Sequence, residues 1–145
     1  MALVELSFPA RPVHVRTARQ VAVAIARRAE LAEEVLDEVR LAVAEACGLA
    51  LSVLRNSPRD ETVGVHFDDS DGLTVEVRAG TALPAATGAA ALEVVVEAAD
   101  NYIDSVGELS AGASLAVLTE LAPILDATTS EQGMRLKLGW PTARV

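Results

Sequence analysis

Cysteine, lysine, histidine and aromatic residues are all scarce in this chain of 145 residues. A single cysteine excludes an internal disulfide and a cysteine metal cluster, and two histidines are too few for a histidine-rich metal site. Aromatic residues make up 3% of the chain, so no stacking platform for nucleic-acid bases is available. No run approaches 18 uninterrupted apolar residues, and no apolar segment follows a basic N-terminus. We therefore expect a soluble, cytoplasmic protein.

The charge is strongly negative, with a formal net value of −9 from 21 acidic and 12 basic residues. Nucleic acids and anionic membranes repel an acidic surface, so we expect neither as a partner. The length suits one domain of ordinary size, and 51% hydrophobic residues are enough to build its core. We expect a single domain over residues 1–145.

Hydrophobic periodicity predicts an α+β fold. Alternating patterns predict strands at 3–8, 62–68, 73–78, 125–129 and 134–140, and helical spacing predicts helices at 13–29, 33–54, 89–106 and 114–121. Residues 79–88 form a predicted loop of small residues. This order favours a two-layer sandwich, in which one mixed or antiparallel sheet carries the helices on one face.

The segment from Leu36 to Ala50, LDEVRLAVAEACGLA, resembles the N-box helix of the anti-sigma-factor serine kinases. These kinases belong to the GHKL superfamily of Bergerat-fold, histidine-kinase-like ATPases. Residues 14–19 are similar to the first helix of that family, and residues 114–122 and 133–140 are similar to its second glycine box and closing strands. The resemblance covers nearly the whole chain in matching order, and it implies the Bergerat fold.

Two positions of the N-box helix bear on the chemistry that the resemblance implies. Glu45 stands where the family has its catalytic base, although a solvated helix residue is the structural alternative. Four residues later, where the family has an asparagine that binds magnesium, this chain has Leu49. A leucine side chain offers no oxygen ligand to magnesium.

The two glycine boxes also depart from the family pattern. The position of the family's adenine-binding aspartate is Ala79, and Thr81 replaces a glycine. In the second box only Gly112 remains, in a sequence of Ala111-Gly112-Ala113-Ser114. Between residues 78 and 135 there are eight acidic residues and no lysine or arginine, which disfavours a bound triphosphate. We therefore expect no ATP or magnesium cofactor and no kinase activity.

Two charged helix faces are candidate partner surfaces. The basic face is on the first helix and comprises Arg16, Arg19, Arg27 and Arg28. The acidic face is on the third helix, and its carboxylates belong to Glu93, Glu97, Asp100 and Asp104. Like charges at helical spacing repel one another, which favours a partner of opposite charge, although solvation is the more ordinary role of such a face. The resemblance implies that regulatory partners dock near the basic face and near the acidic face.

The resemblance implies an anti-sigma-factor-like protein that binds a sigma factor, a STAS-domain anti-sigma antagonist, or both. We also expect a homodimer or a complex with the antagonist, as in the family. The alternative is an active but atypical ATP-dependent serine kinase that uses Glu45 as its base. A third interpretation is a small-molecule sensor that uses the vacated nucleotide cleft around Leu49.

Overall fold

The structure is a computed structural model that describes residues 3–55, 61–100 and 110–142. Six strands and four α-helices are present in these ranges. The strands are β1 (Leu3–Pro9), β2 (Thr62–Asp68), β3 (Leu73–Ala79), β4 (Ala86–Thr87), β5 (Ile124–Ser130) and β6 (Gly133–Trp140). The helices are α1 (Val15–Arg28), α2 (Glu33–Leu54), α3 (Gly88–Asp100) and α4 (Ala111–Leu121), and a single 3₁₀ turn, Pro12–His14, precedes α1.

The strands form one antiparallel sheet in the order β1-β2-β3-β6-β5-β4. Alternate residues of β2 and β3 are buried, because side chains on a strand point to opposite faces of the sheet. Val65, Phe67, Val75 and Leu136 are among the fully buried residues on the covered face. The predicted α+β architecture is therefore confirmed, with the sheet antiparallel throughout.

Helix α2 lies at the centre of the helical layer, in contact with α1, α3, α4 and the strands β2 and β3. Eleven of its 22 residues are buried, among them Val39, Val43 and Val53. Glu33 and Glu34 lie in its first turn, where carboxylates interact favourably with the helix dipole. Its predicted and observed bounds agree.

The turn between α1 and α2 depends on Glu30, which has a φ of 60°. The amide of Glu30 donates to the Arg27 carbonyl at 3.0 Å, and the amide of Leu31 donates to the Ala26 carbonyl at 3.2 Å. This pair of bonds is the Schellman arrangement, which usually has glycine at the left-handed position. It reverses the chain so that α1 packs along α2.

Several predicted bounds are corrected by the structure. Helix α4 begins at Ala111, three residues earlier than predicted, because the Ser110 hydroxyl caps it by accepting a hydrogen bond from the Ala113 amide at 3.2 Å. The predicted loop at 79–88 contains the short strand β4, and the predicted first helix begins with the 3₁₀ turn. The predicted third helix is present up to Asp100, and its predicted remainder, 101–106, lies outside the described residues. Within the described residues, no helix is both long and apolar enough to cross a membrane.

Gly133 and Gly48 provide a matched pair of glycine-to-alanine substitutions. Gly133 has a φ of 117°, and a Cβ atom there would collide with the Ala79 carbonyl oxygen on β3. Gly48 lies inside α2 with open space at its Cβ position. We predict that Gly133→Ala lowers the free energy of unfolding by about 2 kcal/mol or more, whereas Gly48→Ala raises it by about 0.5–1 kcal/mol. Urea unfolding measures both, and equal effects of the same sign would contradict the backbone geometry described for Gly133.

Candidate functional site

A cleft of about 540 Å³ lies between α2, the beginning of α1, the end of α3 and the beginning of α4. This volume is within the range of small-molecule sites in proteins. Four residues in the second half of α2 are only partly buried, and all four line the cleft: Ala44, Glu45, Gly48 and Ser52. Their spacing of about four residues places them along one side of the helix. The cleft is therefore the place where the second half of α2 is least covered.

The cleft brings together residues that the sequence assigned to separate roles. Glu45 and Leu49 contribute from α2, Arg16 and Arg19 from α1, and Asp100 from the end of α3. The basic and acidic faces were predicted as two distinct surfaces, but Asp100 lies in the same cleft as the two arginines. Glu93 and Glu97 are exposed on α3 away from the cleft lining. The predicted site residue Asp104 lies outside the described residues.

The side chain of Glu45 is partly buried, and in the described part of the chain its carboxylate has no hydrogen bond or ion pair. It therefore has free acceptor capacity toward the cleft. One helical turn later Leu49 is only 2% exposed and belongs to the hydrophobic core. The side chain one helical turn after Glu45 is therefore apolar and offers no oxygen ligand. Among the described residues, no group of three or more histidine, cysteine, aspartate or glutamate side chains is arranged to hold a metal ion.

The first turn of α4 contributes to the cleft lining. Ala111 and Ser114 line the cleft, and Gly112 lies between them, exposed. The Asp100 carboxylate accepts a hydrogen bond from the Ala111 amide at 3.0 Å, which joins the end of α3 to the beginning of α4. Both residues of this contact line the cleft.

The sequence of residues 8–140 matches the family model of the histidine kinase-like ATPase domain. The match covers more than half of the chain and includes every element that builds the cleft. This chain belongs to the histidine kinase-like ATPase domain family. No significantly similar sequence is found among curated proteins.

Ala79, which by the resemblance stands at the position of the family's adenine-binding aspartate, does not line the cleft of this histidine kinase-like domain. Ala79 is 1% exposed at the end of β3 and lines a different cavity of about 520 Å³ together with Gly80 and Gly133. Thr81 follows in the loop and is partly buried. The cleft lining therefore includes Glu45 and Leu49 but neither Ala79 nor Thr81.

A third cavity, of about 470 Å³, is lined by residues of α1 and by Arg40 of α2; its lining includes Arg16, Arg19, Arg27 and the apolar residue Val23. We call these four arginines the arginine surface. Arg40 pairs with Asp37 at 2.9 Å, and the other three form no ion pair with any residue in the described ranges. The Nε atom of Arg19 is buried and lacks a hydrogen-bond partner. Arg16 and Arg19 line both this cavity and the cleft.

Arg40 was not predicted as a member of the arginine surface. Arg27, eight residues after Arg19 on α1, was expected on the basic face and lines this cavity, whereas Arg28, which was expected there too, does not. Arg40 comes from α2, and it joins the surface only because the turn at Glu30 packs the two helices together. No local pattern in the sequence signals that contact.

Cys47 does not contribute reactive chemistry to the domain. Its side chain is buried in α2, and burial raises the pKa of the thiol to about 12. The thiolate, which is the nucleophilic form, is therefore absent near neutral pH. Cys47 is therefore a small hydrophobic residue of the core.

The same substitution at Leu49 and at Leu41 tests whether position 49 of α2 requires an apolar residue. Leu49 is 2% exposed and Leu41 is 51% exposed on the same helix. We predict that Leu49→Asn lowers the free energy of unfolding by about 3 kcal/mol, because it removes buried hydrocarbon and buries an amide with few partners. The same change at Leu41 is expected to cost less than about 1 kcal/mol. Urea denaturation compares the two, and a stable Leu49→Asn variant would mean that the site can still accept the polar residue.

Proposed function

We propose that this histidine kinase-like domain is an anti-sigma-factor-like regulatory protein that works by binding. It binds a sigma factor, a STAS-domain anti-sigma antagonist, or both, and it does so without nucleotide or kinase chemistry. The finer family assignment rests on the resemblance of residues 36–50 to the anti-sigma-factor serine kinases. As sigma factors act in the cytoplasm, we place the protein there.

The observation that carries the proposal is the arginine surface. The protein has a net charge of −9, yet Arg16, Arg19 and Arg27 lie together on α1 without an acidic partner among the described residues. Desolvating a guanidinium group without a partner costs free energy, and the Nε atom of Arg19 is already in that state. A carboxylate from another protein could pair with the accessible guanidinium nitrogens of this surface. Arginine is also the charged residue most often found at energetic centres of interfaces.

The distribution of apolar side chains supports a partner recognised largely through charge. Within the described ranges, the four large hydrophobic side chains that are exposed lie on four different elements: Leu3, Val13, Leu41 and Ile124. They do not form one continuous apolar patch of the kind that marks an obligate interface. Val13 differs from the other three because it lines the cleft, as Arg16 and Arg19 do.

We also propose that the chain forms a homodimer or a complex with the antagonist.

The chemistry of the cleft supports the absence of phosphoryl transfer. Transfer from ATP requires a bound magnesium ion and a cradle for the phosphates. Leu49 replaces the oxygen ligand with buried hydrocarbon, and Ala79 offers no carboxylate to an adenine amino group. Regulation would then depend on competition between partners for the same surface.

The alternative function is an active, atypical ATP-dependent serine kinase. One observation favours it: Glu45 has a partly buried carboxylate that is unpaired among the described residues and lies in a cleft of sufficient volume. A general base requires such a carboxylate within reach of its substrate. The alternative would need a metal site that is built from residues other than Leu49.

Arg19 and Arg28 provide the matched test of the binding function. Both lie on α1, but Arg28 is outside the arginine surface and pairs with Asp69 at 3.2 Å. We predict that Arg19→Gln reduces capture of the partner at least tenfold, since a buried interfacial arginine typically contributes about 2 kcal/mol. Arg28→Gln is expected to leave capture unchanged, and Arg19→Lys should restore only part of it because lysine lacks the planar fork.

The measurement is affinity capture from a lysate of the source organism with the tagged full chain, quantified by mass spectrometry. Circular dichroism confirms that each variant is folded. Recovery of a sigma factor or a STAS-domain protein that depends on Arg19 is the expected result. Recovery of neither class, or equal recovery with Arg19→Gln, would overturn the proposed function.

A further inference from the structure

The amide groups at the beginning of α4 are the starting point of this inference. The first residues of a helix have N–H groups without partners inside the helix, and with the helix dipole they attract anions. Helix α4 has 11 residues, and its first turn lines the cleft through Ala111 and Ser114. An anion that entered the cleft would meet these amides.

Protein atoms already occupy most of these donors. The amide of Ala111 donates to the Asp100 carboxylate at 3.0 Å, and the amide of Ala113 donates to the Ser110 hydroxyl at 3.2 Å. The amide of Ser114 is bonded to the Ser110 carbonyl at 3.0 Å, as in a regular helix. Of the first three helical residues, only Gly112 retains an amide that has no partner within the described part of the chain.

The position of Asp100 supports a role for this contact. Asp100 is the last residue of α3, where a carboxylate opposes the dipole of its own helix. Its contact with Ala111 places the same carboxylate at the positive end of α4, where it is favoured. The carboxylate of Asp100 is therefore stabilised by the N-terminus of α4 and not by its own helix, α3.

We propose that the Asp100 carboxylate is a built-in anion that occupies the N-terminus of α4 and excludes phosphate groups from the cleft. The carboxylate does this in two ways. It accepts the hydrogen bond that a phosphate oxygen would otherwise accept from Ala111, and its charge repels a second anion at the same place. The inference rests on the proposed function, in which the cleft no longer holds a nucleotide, and it identifies an intramolecular contact that keeps the cleft free.

Asp100 and Glu97 provide matched variants for the test. Both are exposed acidic residues on α3, one turn apart, so their replacement changes the net charge equally. Of the two, only Asp100 forms a hydrogen bond with the first turn of α4 in the part of the chain that the structure describes. Asp100→Ala removes both the acceptor and the charge, Asp100→Asn removes the charge but retains an acceptor oxygen, and Glu97→Ala controls for the general loss of one negative charge.

The experiment is isothermal titration of the full chain with inorganic pyrophosphate at low ionic strength. We expect no saturable binding by wild type or Glu97→Ala, binding by Asp100→Ala at least tenfold tighter than any by wild type, and an intermediate result for Asp100→Asn. Equal behaviour of Asp100→Ala and wild type would overturn the inference, and so would an equal gain in Glu97→Ala. If Asp100→Ala is unfolded by circular dichroism, Asp100→Asn decides, and its failure to bind more tightly than wild type overturns the inference.

This test is independent of the test of the proposed function. The pyrophosphate comparison requires no protein partner, and partner capture through Arg19 requires no anion at α4. If only the pyrophosphate titration fails, only the role of Asp100 is removed. If only the partner capture fails, the anti-sigma-like function is removed, and the effect of Asp100 on pyrophosphate binding stands.

Discussion

The burial of α2 is the constraint on which the rest of this domain depends. The helix is covered by the sheet and by the other three helices, so half of its positions are buried and accept only apolar or small side chains. Only a narrow side of its second half remains partly open, and this side contains Glu45. Any polar residue that faces the covered side would have to find a partner or lower stability. Leu49 satisfies this constraint, and a magnesium-binding amide would not satisfy it without rearrangement nearby.

The same packing creates the arginine surface. Because α1 lies along α2, Arg40 of α2 joins the arginines of α1 around Val23. The protein is acidic overall, so this concentration of positive charge produces a local field opposite in sign to the net charge. Such a field guides the approach of an acidic partner and weakens as salt is added. The net charge of the chain, taken alone, conceals this feature.

The fold could be predicted in large part because its signals are local. The apolar spacing of α2 and the alternation in β2 and β3 reflect direct contact with one core, so periodicity located them closely. The beginning of α4 was missed because Ala111, Gly112 and Ala113 are small residues that also occur in loops, and the Ser110 cap is recognised only from its contacts. The two-residue strand β4 was missed since its pairing with β5 depends on the sheet and not on its own sequence.

The site could be predicted only in its parts. The family resemblance located Glu45 and Leu49, and charge patterns located Arg16, Arg19 and Asp100. Their meeting in one cleft depends on how three helices pack, which no single segment encodes. The separation of Ala79 from that cleft is likewise a consequence of where β3 ends in the assembled sheet.

We propose that this histidine kinase-like domain binds proteins without using a nucleotide. Equilibrium titration of the wild-type chain with Mg-ATP, with isothermal calorimetry as the readout, is the decisive measurement. We expect no saturable binding up to millimolar ATP, because the resemblance implies that Leu49 and Ala79 replace the metal ligand and the adenine acceptor, and because Asp100 accepts the hydrogen bond of the Ala111 amide. Saturable binding at micromolar ATP, equivalent to about −8 kcal/mol, would contradict the proposal.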